Sequence, residues 1–285
     1  MVIFNASMLN KNPTGVGIYS RKLIDIISKN TLLKFKILFI AETRFISIYR
    51  LLWNFFCLPL KAKKGDLIFS FSTHGTPFHK KQIITIHDLI CLNFPEQHKF
   101  QYCYFKYLVP FILKSCKHIV AISEFTKSEI LKFYDIPKDK ISVIHNGANI
   151  INYNPSESIE NKIAEITNNR PFFITVGAAY SHKNMFRLIE AVELLNNKEI
   201  VFLIVGKKNE YLQSVENFAS GKNLDQVKFL NYVDDNLLAG LYAKAIANIY
   251  LSLYEGFGFP PLEAASVGSL SIVSDIPVMR EIYAD

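Results

Sequence analysis

Two glutamates eight positions apart, Glu255 and Glu263, bracket the run EGFGFPPLE near the C-terminal end of the chain. Gly256 and Gly258 allow a backbone to approach a ligand closely, with Phe257 between them. Pro260 and Pro261 suit the first turn of a helix, where a missing N–H would be unpaired anyway. Such a loop aims free N–H groups and the positive end of a helix at one point, which favours an anion. Carboxylates in that place would repel a phosphate, so they serve better as acceptors for hydroxyls on the same ligand. A diphosphate flanked by hydroxylated rings is the chemistry of a nucleotide sugar. A plainer reading is that Glu263 only complements the helix dipole.

Three further stretches carry candidates. Lys183 follows the apolar run FFITVG (172–177) and reaches a diphosphate as a point charge, with His182 beside it as an auxiliary; its alternative is a surface lysine. His87 closes the apolar run QIITI and precedes Asp88; a lone histidine there is commonly a satisfied core residue. Gly15 and Gly17 open the helical pattern at 15–30, and a pair of glycines by itself says little about a ligand. No Asp-x-Asp occurs, and Asp234 and Asp235 stand where a helix cap belongs, so no metal and no cofactor are expected. Cys57, Cys91, Cys103 and Cys116 form no CxxC pair, which fits a reduced, cytoplasmic setting.

These residues need elements to hold them. Apolar, β-branched runs at 172–177, 201–206, 227–233, 246–252 and 270–275 alternate with helical patterns at 183–197, 235–245 and 260–268. That alternation implies βαβ units and a parallel doubly wound sheet. The first half repeats it, with strands expected at the N-terminus, 36–41, 66–72, 82–88, 118–123 and 141–146, and helices at 15–30 and 123–136. The expected fold class is α/β: two Rossmann-like doubly wound domains facing a cleft. Their expected extents are 1–150, a polar linker with some local helix at 151–170, and 171–285.

At 285 residues and half hydrophobic, the chain can bury two modest cores. Its charge is uneven: residues 1–150 hold 21 Lys and Arg against 9 Asp and Glu, whereas residues 151–285 hold 11 against 16. The first half therefore faces something anionic, or simply carries a solvated basic surface. Arg50, Trp53, Phe55, Phe56, Lys61, Lys63 and Lys64 mix cations with bulky apolar groups, as segments resting on an anionic leaflet do; the alternative is that half or more of the aromatics are core. LLWNFFCLPL (51–60) and YLVPFIL (107–113) are too short to cross a bilayer. Nucleic acid is not expected as a partner, because no reading motif accompanies the basic half.

The pattern E-G-F-G-x-P-x-x-E-A resembles the signature of retaining glycosyltransferases of family 4, which have the two-domain GT-B fold. Ordered matches follow: PTGVGIYSRKLI (13–24), TIHDLICLNFPE (85–96), AISEFTKSEI (121–130), VIHNGAN (143–149), FITVGAAYSHKNMFRLIEAVELL (173–195) and FLNYVDDNLLAGLYAKA (229–245). The resemblance thus extends over essentially the whole chain. It implies that Glu255 touches the transferred sugar, Glu263 the ribose and His87 the sugar near its anomeric carbon. It also sets the turn at Val233 against the nucleotide base.

Two places depart from the family: Ala178 stands where an arginine is frequent, and Thr14-Gly15 replaces a Gly-Gly pair in the N-terminal glycine loop, where Gly15 and Gly17 can still admit a ligand. The resemblance implies a metal-independent, mannosyltransferase-like hexose transfer with retention. The donor would be GDP-, UDP- or dTDP-linked and the acceptor polyprenyl-diphosphate-linked or a glycan. The setting would be surface-polysaccharide assembly (O-antigen, capsule or exopolysaccharide) at the inner face of the plasma membrane. The family continues beyond EIYAD (281–285), so a second domain incomplete at its C-terminus is expected. The alternative is a catalytically impaired remnant that binds nucleotide or a protein partner.

Overall fold

The computed structural model describes residues 1–9, 15–29, 34–40, 46–148, 151 and 153–283. Pro13, Thr14 and Asn149 of the matched motifs lie outside the described residues. The chain divides into two compact units, Met1–Asn146 and Gly147–Asp285.

The first unit is built on six parallel strands in the order β2-β1-β3-β4-β5-β6. They are β1 (Val2–Asn5), β2 (Phe35–Leu38), β3 (Leu67–Ser70), β4 (Gln82–Ile86), β5 (His118–Ala121) and β6 (Ile141–Val143). Parallel sheets need cover on both faces, and the crossovers supply it. Helix α1 (Gly15–Lys29) joins β1 to β2. The next crossover is α2 (Ile46–Leu52), one wide π-type turn (Trp53–Cys57) and α3 (Leu58–Lys61). A second long helical run follows β4: α4 (Ile90–Asn93), α5 (Lys99–Cys103), another wide turn (Tyr104–Leu108) and α6 (Val109–Ser115). Helix α7 (Glu124–Phe133) starts where the Ser123 side chain accepts the N–H of Thr126. Ile84, Ile86, Leu113, Ile119 and Ile130 are fully buried together, each worth about 1.5–3 kcal/mol on burial.

The second unit holds five parallel strands in the order β11-β10-β7-β8-β9. They are β7 (Phe172–Val176), β8 (Val201–Val205), β9 (Val227–Leu230), β10 (Asn248–Tyr250) and β11 (Ser271–Val273). Helices α9 (Met185–Leu195) and α10 (Glu210–Gly221) share one apolar layer. Helices α8 (Glu157–Thr167), α11 (Asp235–Lys244) and α12 (Phe259–Ser266) share the other, and α13 (Pro277–Tyr283) follows β11.

Two stretches differ from expectation. The polar segment read as a linker with some local helix does contain one, α8, but its Ile159, Ile163 and Ile166 pack into the second unit rather than between the two. Gly240 makes this possible, since a Cβ there would meet Ile159 Cγ2 at 2.9 Å and Ile163 Cδ1 at 3.0 Å. In the basic interfacial segment, Trp53 is buried, Phe55 packs against the core, and Arg50 turns inward so that its Nε donates to Ser7 O at 2.8 Å. Phe56, Lys61, Lys63 and Lys64 remain exposed. Ile48, Leu52, Phe56 and Leu60 together form an exposed apolar stripe at four-residue spacing along α2, the wide turn and α3.

Candidate functional site

Strand order in the second sheet reverses between β7 and β10. Ligands of open α/β sheets sit beyond the carboxyl ends of the strands at such a reversal. The two loops leaving those ends are Gly177–Asn184 and Leu251–Gly258, and they carry Lys183 and Glu255. The main-chain bond from Leu253 N to His182 O, 2.7 Å, ties one loop to the other.

Lys183 Nζ lies 2.5 Å from Glu255 Oε1 and donates to the Tyr250 hydroxyl at 2.8 Å. An ammonium has three N–H donors, so one remains for a ligand. Glu255 is 7% exposed. Burial alone would raise its carboxyl, but Lys183, then Ser252 and His182, hold it below the ordinary value. Tyr250 is pushed well above its usual range by burial and by the Glu255 charge, so it stays a neutral hydroxyl.

Gly258 caps α12 in the left-handed region, φ 94°, with Pro260 and Pro261 in the first turn as the sequence suggests. A Cβ on Gly258 would meet Met279 Cε at 2.7 Å. The Tyr283 hydroxyl donates to Gly258 O, fastening α13 to the start of α12. Burial raises the Tyr283 hydroxyl, and the charges of both Glu255 and Glu263 add to the effect. Both carboxylates therefore act on one phenol. Glu263 stands half-buried on α12 beside Tyr242, which burial and then Glu263 push well upward. Gly256 and Phe257 are buried in the loop, and the Phe257 ring lies 5.3 Å from that of Phe259. Val233 is half-buried between β9 and α11 next to the exposed Tyr232, while Asp234 accepts the N–H of Leu237 as the helix cap. Ala178 is fully buried.

In the first unit, His87 follows β4 and its Nε2 bonds Phe71 O at 2.8 Å. Only a protonated nitrogen can donate to that carbonyl, so Nδ1 keeps the lone pair. Burial lowers the imidazole to about 4 against the opposing pull of the Phe71 carbonyl; His87 is neutral at pH 7. Tyr19 on α1 stands edge-on to it, ring centroids 4.8 Å apart. Asp88 accepts the N–H of Ile90 and starts α4. Gly15 and Gly17 both lie within α1, the helix expected at 15–30, Gly15 exposed and Gly17 buried.

The structure thus gathers Lys183, Glu255, Gly256, Phe257, Gly258 and Glu263 at one strand-order reversal. It adds three tyrosines, Tyr242, Tyr250 and Tyr283, that motif spacing did not reveal. Among the described residues, no group of three or more His, Cys, Asp or Glu side chains is placed to hold a metal ion.

Residues 39–150 match the family described as Glycosyltransferase Family 4, and residues 156–285 match Glycosyl transferases group 1. The O-antigen chain mannosyltransferase RfbU of Salmonella typhimurium is 34% identical over 80% of this chain and 62% of its own length. O-antigen chain mannosyltransferase B of Escherichia coli is 29% identical over 74% of this chain and 59% of its own. The chain therefore spans about three fifths of the curated relatives it matches. Among solved structures, HepE of Anabaena in complex with UDP-glucose superposes with a TM-score of 0.70 at 16% identity, covering 98% of this chain and 82% of that one.

Proposed function

The chain belongs to the group 1 and family 4 glycosyltransferases and has their GT-B fold, and from that premise we propose that it transfers a hexose from a nucleotide sugar to a glycan or lipid-linked acceptor in O-antigen or related polysaccharide assembly. One observation carries the reading: the Lys183–Glu255 pair at the β7/β10 reversal, beside the N-terminus of α12. Lys183's remaining N–H and the positive end of α12 neutralise the departing diphosphate. Glu255 accepts hydroxyls of the transferred sugar, Glu263 those of the ribose, and His87 Nδ1 accepts a further sugar hydroxyl. The turn at Val233 takes the base. No protein-held metal has a role in this scheme.

Transfer proceeds with retention through an oxocarbenium-like species on one face, the diphosphate taking the acceptor's proton. Glu255 is bonded to Lys183, which supports an electrostatic role over a covalent one. The names of the relatives make mannose the first sugar to test. The exposed stripe Ile48, Leu52, Phe56 and Leu60, bordered by Lys61, Lys63 and Lys64, supports peripheral contact with the inner, anionic leaflet. Among the described residues, no helix is long and apolar enough to cross a membrane.

The test is a screen of GDP-, UDP- and dTDP-sugars by thermal shift, followed by turnover with a polyprenyl-diphosphate-linked glycan. A stabilising nucleotide sugar that is consumed supports the proposal. Nucleotide binding with no sugar loss across the panel sinks it in favour of a binding remnant.

A further inference from the structure

The first sheet also reverses its strand order once, between β1 and β3. Asn5 and Ser70, register partners at the ends of those strands, are joined there by Asn5 Nδ2 donating to Ser70 Oγ at 3.0 Å. Asn5 Nδ2 also bonds Asn54 Oδ1 at 2.7 Å and His74 O at 2.7 Å. Asn54 Nδ2 in turn donates to Ser7 Oγ at 3.3 Å and to Arg50 O at 2.7 Å. This buried amide network fixes the helix carrying Arg50 over the strand ends.

Arg50 is half-buried, and burial lowers its guanidinium from the ordinary value. Its Nε is spent on Ser7 O, and among the described residues no carboxylate pairs with it. Partial burial of a guanidinium favours an anion beside it, which offsets the lost hydration of the charge. Its charge acts on His74, which burial and that charge keep neutral, and the His74 ring is stacked on Tyr104 at 5.4 Å. Ser72 Oγ lies 3.1 Å from His74 Nδ1, which leaves Nε2 unbonded among the described residues. A forked cation whose Nη donors no described residue takes, near a neutral imidazole whose Nε2 none takes either, is arranged for a tetrahedral oxyanion.

We propose that the β1/β3 crevice is an anion site in which Arg50, with His74 near it, binds a phosphate or diphosphate group carried by the acceptor. The assignment of that group to an acceptor rests on the transferase reading above; the anion site itself does not.

The test is calorimetric titration of inorganic pyrophosphate into the full chain, with nucleoside diphosphate in excess to occupy the Lys183 side. Wild type is expected to bind, and Arg50→Gln to bind roughly 10–100-fold more weakly, as loss of charge-assisted bonds implies. Nucleoside diphosphate affinity should be equal in both. Equal pyrophosphate affinity in wild type and Arg50→Gln overturns the site, as does absence of binding to wild type. Should Arg50→Gln fail to fold, Arg50→Lys decides: it keeps the charge but loses the fork, so affinity should fall several-fold, and an unchanged value overturns the assignment.

Two competitors separate the sources of the anion. Displacement of pyrophosphate by farnesyl diphosphate identifies a prenyl-linked diphosphate; displacement only by phosphatidylglycerol vesicles identifies a lipid headgroup and overturns the acceptor assignment. Arg50-dependent pyrophosphate binding without turnover of any nucleotide sugar removes the transferase reading and leaves the site standing.

Discussion

Each unit sets a cation where its strand order reverses, and the two are treated in opposite ways. At β7/β10, Lys183 meets Glu255 at 2.5 Å and Tyr250 at 2.8 Å, and two of its three donors are taken. At β1/β3, Arg50 gives one donor to a main-chain carbonyl and has no acidic partner among the described residues. A paired charge is stable without ligand and must share its ammonium when a diphosphate arrives. An unpaired one gains most from the first anion that reaches it. The same strand-order geometry thus holds a paired cation in one unit and, among the described residues, a cation without an acidic partner in the other.

The largest way to break this contrast is Glu255→Ala. It strands a buried ammonium, so urea denaturation should show a loss of about 3–5 kcal/mol, and turnover should collapse with it. Glu255→Gln retains the shape and should lose turnover with a smaller drop in stability. The second prediction uses pH. In the fold, burial takes His87 down to about 4, and burial with the Arg50 charge takes His74 down to about 3, whereas an ordinary histidine titrates at 6.5. The unfolded chain therefore binds protons first as pH falls. The first unit should lose stability from pH about 6.5 toward 4, by at most about 1.4 kcal/mol per pH unit for each histidine. Glu255, held below 4.5, contributes stability that fades only below the ordinary carboxylate range. Hydrogen exchange at pH 5 should therefore rise in the first unit before the second; a simultaneous rise would erase the distinction.

Third, Gly258→Ala places a Cβ at φ 94° and against Met279, and should cost about 1–3 kcal/mol with weakened nucleotide binding. Fourth, Glu263→Gln should weaken binding of the free nucleoside diphosphate about tenfold by calorimetry, roughly one lost charged hydrogen bond. Smallest, Tyr283→Phe removes the hydroxyl bonded to Gly258 O, and a shift of about 1 kcal/mol in urea midpoint stability is expected.

The alternation of strands and helices was legible because each buried parallel strand is a short β-branched run, as in FFITV and VFLIV. The glutamate spacing was legible because both sides of the loop are local in sequence. Tyr250, Tyr242 and Tyr283 were not, since an aromatic near a strand or helix end has no period that marks it as a neighbour of a carboxylate. Helix α10 was not expected, although Tyr211, Leu212, Val215, Phe218 and Ala219 recur at helical spacing and pack inward. The segment 46–61 left two readings open, interface and core. Its mixture of lysines and aromatics fits an interface, but which side chains turn inward depends on Asn5 and Ser7, more than forty residues earlier.

The wide turn at Trp53–Cys57 has a consequence for that segment. In an ordinary helix, positions four apart precess by about 40°, so Ile48 and Leu60 would drift about 120° out of line. A turn with i→i+5 bonding carries an extra residue and rotates the chain back. It acts as a phase corrector, keeping the outward side chains in one row while Trp53 and Asn54 stay inward. Deleting a single residue there would swing Leu60 and the lysines after it by about 100°, scrambling the row without altering its composition.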